Sequence, residues 1–291
     1  MVKFLYIKRI PIFSHKRSIL LSWKQKEILL IVKTYPERSK KYGNTVCTAG
    51  ILKDTNELIR LYPFNFNSYI SKHLEKFICI SAQIKKNTKE RLKRKESYNV
   101  KDASIKIINT DLIDTNKKGV WDTRRRLLKP FQSDSIESLV SLSKIDRTSL
   151  GIIKPKLKTV EFKLKKPIEE IEIDIATGIQ LNLYGKKLRK VDKIEKAFFY
   201  KFKCEGENCK VHNMICTDWE LMQSFRSWKE KYKDPEELVE NLTKKYQEWM
   251  KNRDLHFILG THNVYNTWFI IGLFYPPRLT ERSIMEYIND K

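Results

Sequence analysis

Between residues 193 and 220 the chain sets a strand, a ligand-rich turn and a helix start in immediate succession, and few folds accommodate that order. Lys193 to Lys203 is dense in aromatics (Phe198, Phe199, Tyr200, Phe202), a composition that suits a pleated, half-buried strand. The turn that follows carries Cys204, Cys209, His212 and Cys216 in a C-x4-C-x2-H-x3-C spacing. Soft and borderline ligands this close in sequence can converge on one tetrahedral ion, so the run is expected to hold Zn2+, with an iron–sulfur cluster as the alternative. Thr217-x-x-Glu220 is a capping box and opens a helix, whose dipole favours a thiolate at Cys216. Cysteine is also a small core residue. If Cys216 is buried as such, Asp218 or a water would complete the set. Four protein ligands imply a structural ion, whereas three and an open position permit catalysis.

Lys and Arg number 58 against 35 Asp and Glu, a formal net charge of +23 over 291 residues. An excess of this sign points to a polyanion, nucleic acid before an anionic membrane surface. A lysine-rich composition can also be a habit of a whole proteome. Five cysteines, three of them clustered as ligands, argue for a reducing compartment and not a disulfide framework. Charges interrupt the apolar run at residues 1–10 and there is no stretch of eighteen apolar residues. No signal peptide or membrane span is expected, and a cytoplasmic protein is.

Residues 1–26 read as a basic arm. Strands are expected over 27–33, 46–51, 58–62, 77–85 and 104–110, with a short helix in 67–76, further helices from 119 and over 133–143, and a boundary at Thr148 to Pro155. Beyond the boundary lie strands at 158–164 and 193–203, then helices over 217–252. There Leu221, Met222, Phe225, Trp228 and Tyr232, and then Leu238, Leu242, Tyr246 and Trp249, recur at core-facing spacing. Apolar runs at 255–260 and 267–275 form a closing hairpin. Lys85 to Lys95 is a basic loop or phosphate-contacting patch. The carboxylates Glu169, Glu170, Glu172 and Asp174 form either a solvent-facing strand edge or a metal-binding set.

The segments Lys33-Thr-Tyr-Pro, Val46-Cys-Thr-Ala-Gly, Ile59-Arg-Leu-Tyr-Pro, Lys95-Glu-Ser-Tyr, Ser149-Leu-Gly-Ile-Ile-Lys-Pro, Asp218-Trp-Glu and Ile271-Gly-Leu-Phe-Tyr-Pro-Pro together resemble a largely uncharacterised prokaryotic family, the dual OB-containing domain proteins. That family is associated with defence or mobile-element conflict, and the resemblance spans roughly residues 27–277. It implies an α+β chain of two small OB-like β-barrels and no established reaction.

The expected units are an OB-like β-rich domain over 27–150 and a second β-rich domain over 151–291. The second carries the metal knuckle at 204–216 and a two-helix insertion at 217–252. OB barrels bind single strands with a basic groove and stacking aromatics. Lys33, Arg60, Arg91, Arg94 and Arg124 are therefore expected to meet phosphates, and Tyr35 and Tyr62 to stack on bases. Two other readings stay open. One is a metal-dependent nuclease or nucleotide-processing enzyme using Glu170, Glu172 and Asp174, or Asp218 and Glu220, with His262 as acid/base. The other is a subunit docking on an acidic protein.

Overall fold

The computed structural model describes residues 22–39, 43–88, 94–165, 194–207, 209–262 and 267–279. Arg91 and the carboxylates Glu169, Glu170, Glu172 and Asp174 lie outside them. In the first half, β1 (Lys24–Lys33) is followed by β2 (Glu37–Ser39), β3 (Gly43–Thr45), β4 (Thr48–Leu52), β5 (Leu58–Leu61), helix α1 (Phe66–Ser71), β6 (Cys79–Lys86), β7 (Ser97–Val100) and β8 (Lys106–Asn109). Helices α2 (Val120–Leu128) and α3 (Ile136–Asp146), with the short β9 (Gln132–Ser133), lead into the second half. That half contains β10 (Leu150–Ile153), β11 (Glu161–Lys165), β12 (Ala197–Phe202), β13 (His212–Cys216), α4 (Trp219–Lys231), α5 (Pro235–Thr243), β14 (His256–Thr261) and β15 (Trp268–Phe274). A π-turn, Lys244–Trp249, continues α5.

The first sheet runs β1-β4-β5-β7-β6 and closes on itself, because β1 pairs with β4 on one edge and with β6 on the other. The result is a closed five-stranded barrel, with β8 paired to the free end of β6. Strand β1 begins at Lys24, so the basic arm ends earlier than its composition suggests. The second sheet runs β11-β12-β13-β15-β14-β10-β9. A bridge between Pro155 and Cys204 returns the end of β10 to the end of β12. The segment expected as a boundary is thus a buried strand, β10, paired to β14 along its length.

Burial explains why several strands have no polar face. In β1, Ile28 and Leu30 join an apolar cluster that fills the interiors of both halves, while Leu29, Ile31 and Val32 join a second cluster. That second cluster also takes Leu150 and Ile152 from β10, Ile258 from β14, and Phe269, Ile271 and Phe274 from β15. The outer face of the barrel therefore packs on the outer face of the second sheet, so these strands are apolar on both sides. A register shift at Leu30/Val32 in β1 bends the strand along this seam. At Gly272 an added Cβ would lie 3.3 Å from Val32 Cγ2, so this close approach favours glycine.

Polar groups pin the seam at its edge. The Glu96 carboxylate accepts the backbone N–H of Ser149 at 3.0 and 3.1 Å and its hydroxyl at 2.7 Å. Arg60, 4% exposed, donates to the Ser149 carbonyl at 3.0 Å. These contacts join the residues on which the resemblance rested: Ile59-Arg, Lys95-Glu and Ser149-Leu.

Removing one partner of a buried charged hydrogen-bond set costs more than removing an exposed ion pair. Glu96→Ala, which strands the Ser149 amide and hydroxyl, should lower unfolding free energy by about 2 kcal/mol or more. Lys95→Ala, which removes the exposed pair with Asp146, should cost about 1 kcal/mol or less. Chemical denaturation of the two variants beside the parent checks the ordering.

Candidate metal centre and inter-half cleft

The ligand-rich turn between β12 and β13 brings Cys204, Cys209 and His212 together, their ligand atoms all within 4.8 Å of one another. Residues in that arrangement can hold a metal ion. The Cys204 N–H donates to Cys209 Sγ at 2.9 Å, and Cys209 Sγ lies 3.3 Å from His212 Nε2. Burial and the Cys209 neighbour push the Cys204 thiol up to about 12, so an incoming cation has to displace its proton. None of the five cysteines is in a disulfide.

Cys216 is not in this group. It shares a face of β13 with His212 but sits four residues on, about 13 Å away at the rise of a strand. It is fully buried in the apolar core, and burial raises its thiol well above the ordinary value. The local spacing suggested a fourth ligand because it ignored the extended strand between the two residues. Asp218 is not a ligand here either. Its Oδ1 caps α4 by accepting the Glu220 and Leu221 N–H groups, and its Oδ2 accepts the Leu273 N–H at 3.0 Å. Glu137, at the start of α3, does reach the turn. Its Oε1 is 3.2 Å from His212 Nε2 and accepts the Lys210 N–H at 3.1 Å. Although burial raises its pKa, backbone amides and His212 hold this carboxyl below its usual range.

A second site lies where the halves meet. A cleft of about 830 Å3 is lined by Trp121, Trp219, Trp249 and Tyr275, with Lys33, Arg124 and Arg253 among them. Lys33 Nζ lies 4.0 Å from the centre of the Trp219 ring, Arg124 lies 5.0 Å from that of Trp121, and Arg253 lies 4.8 Å from that of Trp249. Lys76, from the first half, ties the cleft to the second through Asp218 at 3.3 Å and Glu220 at 2.8 Å. Burial opposes its charge, but these two carboxylates hold Lys76 above its ordinary range. Tyr275 donates to Glu220 Oε2 at 2.5 Å.

Of the residues expected to meet nucleic acid, Lys33 and Arg124 border this cleft, although both are themselves largely buried, 8% and 7% exposed. Arg124 Nε is anchored on the Leu112 carbonyl at 2.8 Å. Tyr35 is not a free stacking platform. It is 3% exposed and lies behind the cleft wall, stacked on Trp219 at 5.5 Å. Arg60 is buried in the seam, which removes it from any phosphate-binding surface. Tyr62 is half-buried and donates its backbone N–H to Tyr98. Arg94 is half-buried, and burial and then Arg60 lower it to about 10. Neither Tyr62 nor Arg94 lines the cleft.

Sequence reading missed Trp121, Arg253 and Glu137. Trp249 was expected in the core with Leu238, Leu242 and Tyr246, but it is 43% exposed at the cleft. It sits in the π-turn, where the altered helical repeat rotates it off the buried stripe.

Burial lowers the Lys33 amine to about 8, with Glu75 and Glu220 opposing and Lys76 assisting. An unfolded lysine titrates near its ordinary 10.5, so the native state sheds this proton first. Folding is therefore penalised below about pH 8, and the penalty is relieved as pH rises toward 10.5. The parent should gain stability relative to Lys33→Met as pH is raised from about 8 to 10. Melting curves of both proteins across that range check the sign.

No curated protein matches the chain. Residues 24–130 match the family model described as Domain of unknown function (DUF8758). The match begins at the first residue of β1 and ends after α2. Residues 132–289, more than half of the chain, match the model described as Domain of unknown function (DUF8757), and the chain belongs to that family.

Proposed function

We propose that this protein binds single-stranded nucleic acid at the cleft between two OB-like barrels, the second of which is stabilised by zinc. The cleft carries the reading: tryptophan and tyrosine rings alternate with cations around a space of about 830 Å3. Stacking of unpaired bases on aromatic faces and pairing of phosphates with cations is how single strands are held without sequence readout. The net charge of +23 suits the same partner.

Strand order supports the barrels. In the first half β1, β4, β5, β6 and β7 adopt the order 1-2-3-5-4-1, with the third and fifth parallel and α1 between the third and fourth. That order supports an OB-like reading of the closed barrel. Counting β10 and β11 as one bent first strand, the second half repeats it. There β12, β13, β14 and β15 follow, β13 and β15 are parallel, and the Pro155–Cys204 bridge closes the circuit. Helices α4 and α5 then occupy the place that α1 takes in the first barrel. The resemblance to dual OB-containing domain proteins implies the same pair of barrels and a setting in prokaryotic defence or mobile-element conflict, and the cysteine usage suits a cytoplasmic one.

Two thiolates and an imidazole favour zinc over harder ions. The purified chain should carry one zinc per molecule by elemental analysis. Cys209→Ala should lose it and lower the melting temperature, because a structural ion contributes folding free energy. Unchanged metal content and melting would exclude this assignment.

Fluorescence anisotropy with labelled single-stranded and duplex RNA and DNA, titrated with salt, tests the binding. The parent should prefer single strands, with affinity falling steeply as salt rises. Trp249→Ala should weaken binding by about tenfold, since one base–aromatic stack is worth ~1–3 kcal/mol. Arg253→Ala should reduce the salt slope by about 1. Equal affinity for duplex and single strand, unaffected by Trp249→Ala, would leave only nonspecific charge. Absence of binding at physiological salt would overturn the proposal and turn attention to an acidic protein partner.

A further inference from the structure

His212 Nε2 lies against two polar atoms at once, Cys209 Sγ at 3.3 Å and Glu137 Oε1 at 3.2 Å. A neutral imidazole nitrogen carries one proton at most and can serve only one of them by hydrogen bonding. A cation between the three groups serves all of them. Around a tetrahedral ion with bonds of ~2.0 to 2.3 Å, neighbouring ligand atoms lie ~3.3 to 3.8 Å apart. The two separations at His212 are at or just under that spacing, whereas Glu137 is not in the group whose ligand atoms all lie within 4.8 Å of one another, so its carboxylate has to turn toward the sulfurs to ligate. The other Glu137 oxygen, Oε2, is shielded from solvent and makes no well-formed hydrogen bond among the described residues, although the side chain as a whole is 39% exposed and the Ser135 hydroxyl lies beside the carboxylate. A buried carboxylate oxygen left unpartnered is costly, and metal ligation is one way it is satisfied.

We propose that Glu137 is the fourth ligand of the ion held by Cys204, Cys209 and His212. The proposal rests on the metal reading above and deepens it: the site is closed, structural, and shared between two elements far apart in sequence. The ion ties the start of α3 to the β12–β13 turn.

The backbone prepares that junction. Gly206 N–H donates to the Asp134 carbonyl at 3.2 Å, Lys210 N–H to Glu137, and Glu205 N–H to the Lys154 carbonyl at 3.0 Å. A Cβ at Gly206 would come within 2.9 Å of the Asp134 oxygen, so the turn could not approach α3 this closely with a side chain there. Ser135 caps α3 through the Ser138 N–H and fixes the turn from which Glu137 projects. Asp134, Glu205 and Glu207 also border the adjoining cleft, and of these Glu205 is engaged with Lys154 at 3.6 Å. A cleft of about 680 Å3, lined by Glu137, Cys209, Lys154 and Glu205, adjoins the site and gives an ion a path in. Without Glu137, water from that cleft would take the fourth position and leave the open coordination of a catalytic ion.

Cobalt(II) replacing zinc in the full-length chain reports the ligands directly. Thiolates produce charge-transfer absorption, and the visible bands report coordination number and donor type. The parent is measured first. If it takes up neither zinc nor cobalt, the metal reading fails and this proposal with it. If it does, Glu137→Gln should retain thiolate charge transfer, change the visible bands, and lose about 10- to 100-fold in affinity by chelator competition, at least the cost of losing an outer-shell partner. Glu137→Cys provides a gain of signal, because a third thiolate should raise charge-transfer intensity by about half over the two of the parent. It also covers the case in which Glu137→Gln does not fold. A Glu137→Gln spectrum and affinity equal to the parent's, or no added charge transfer in Glu137→Cys, would overturn Glu137 as a ligand while leaving the three-residue metal site standing.

Discussion

The apolar seam between the barrel and the second sheet is the constraint on which the rest depends. Strands β1, β10, β14 and β15 are buried on both faces, one turned to an interior and the other to the opposite half. Such strands cannot be exposed singly without leaving a broad apolar surface in water, so each half is incomplete without its neighbour. The polar groups at the seam are arranged to survive the burial. Glu96 and Arg60 meet at Ser149, and Lys76 crosses to Asp218 and Glu220. Each is a charged group taken from water and repartnered, which orients the halves more than it stabilises them.

The cleft follows from that docking. Its walls come from both halves: Lys33, Lys76, Trp121 and Arg124 from one side, Trp219, Trp249, Arg253 and Tyr275 from the other. No single segment of sequence contains enough of it to suggest a site. The seam also explains why a lysine at the end of β1 loses affinity for its proton. Lys33 enters the space with its ammonium held over the Trp219 and Tyr69 rings, with little water around it.

At the other feature, the Cys/His turn that can hold a metal ion, local sequence and tertiary contact divide the work. Cys204, Cys209 and His212 lie within nine positions, and a turn suffices to gather them. Glu137 comes from a helix more than sixty residues earlier and meets His212 only because α3 docks on that turn. The fourth position was sought in Cys216 because that residue is near in number. A strand carries the chain about 13 Å over four residues, and nearness in sequence became distance in space.

What the sequence by itself determined is local. Alternation and turn residues located most strands, and Asp234-Pro235 marked a helix start that its cap bears out. The capping box at Thr217 fell one residue short of the actual cap, Asp218, and of the four residues in the Cys/His spacing three come together where they can hold a metal ion. The continuous apolar runs were legible as buried strands, but not what covered their second face. Tertiary structure decided that Arg60 and Tyr35 are buried rather than exposed and that Trp249 turns to the cleft. The physical reason is common to all three. Whether a basic or aromatic side chain meets water depends on which surface another segment covers, and that surface is supplied by residues too distant for local periodicity to report.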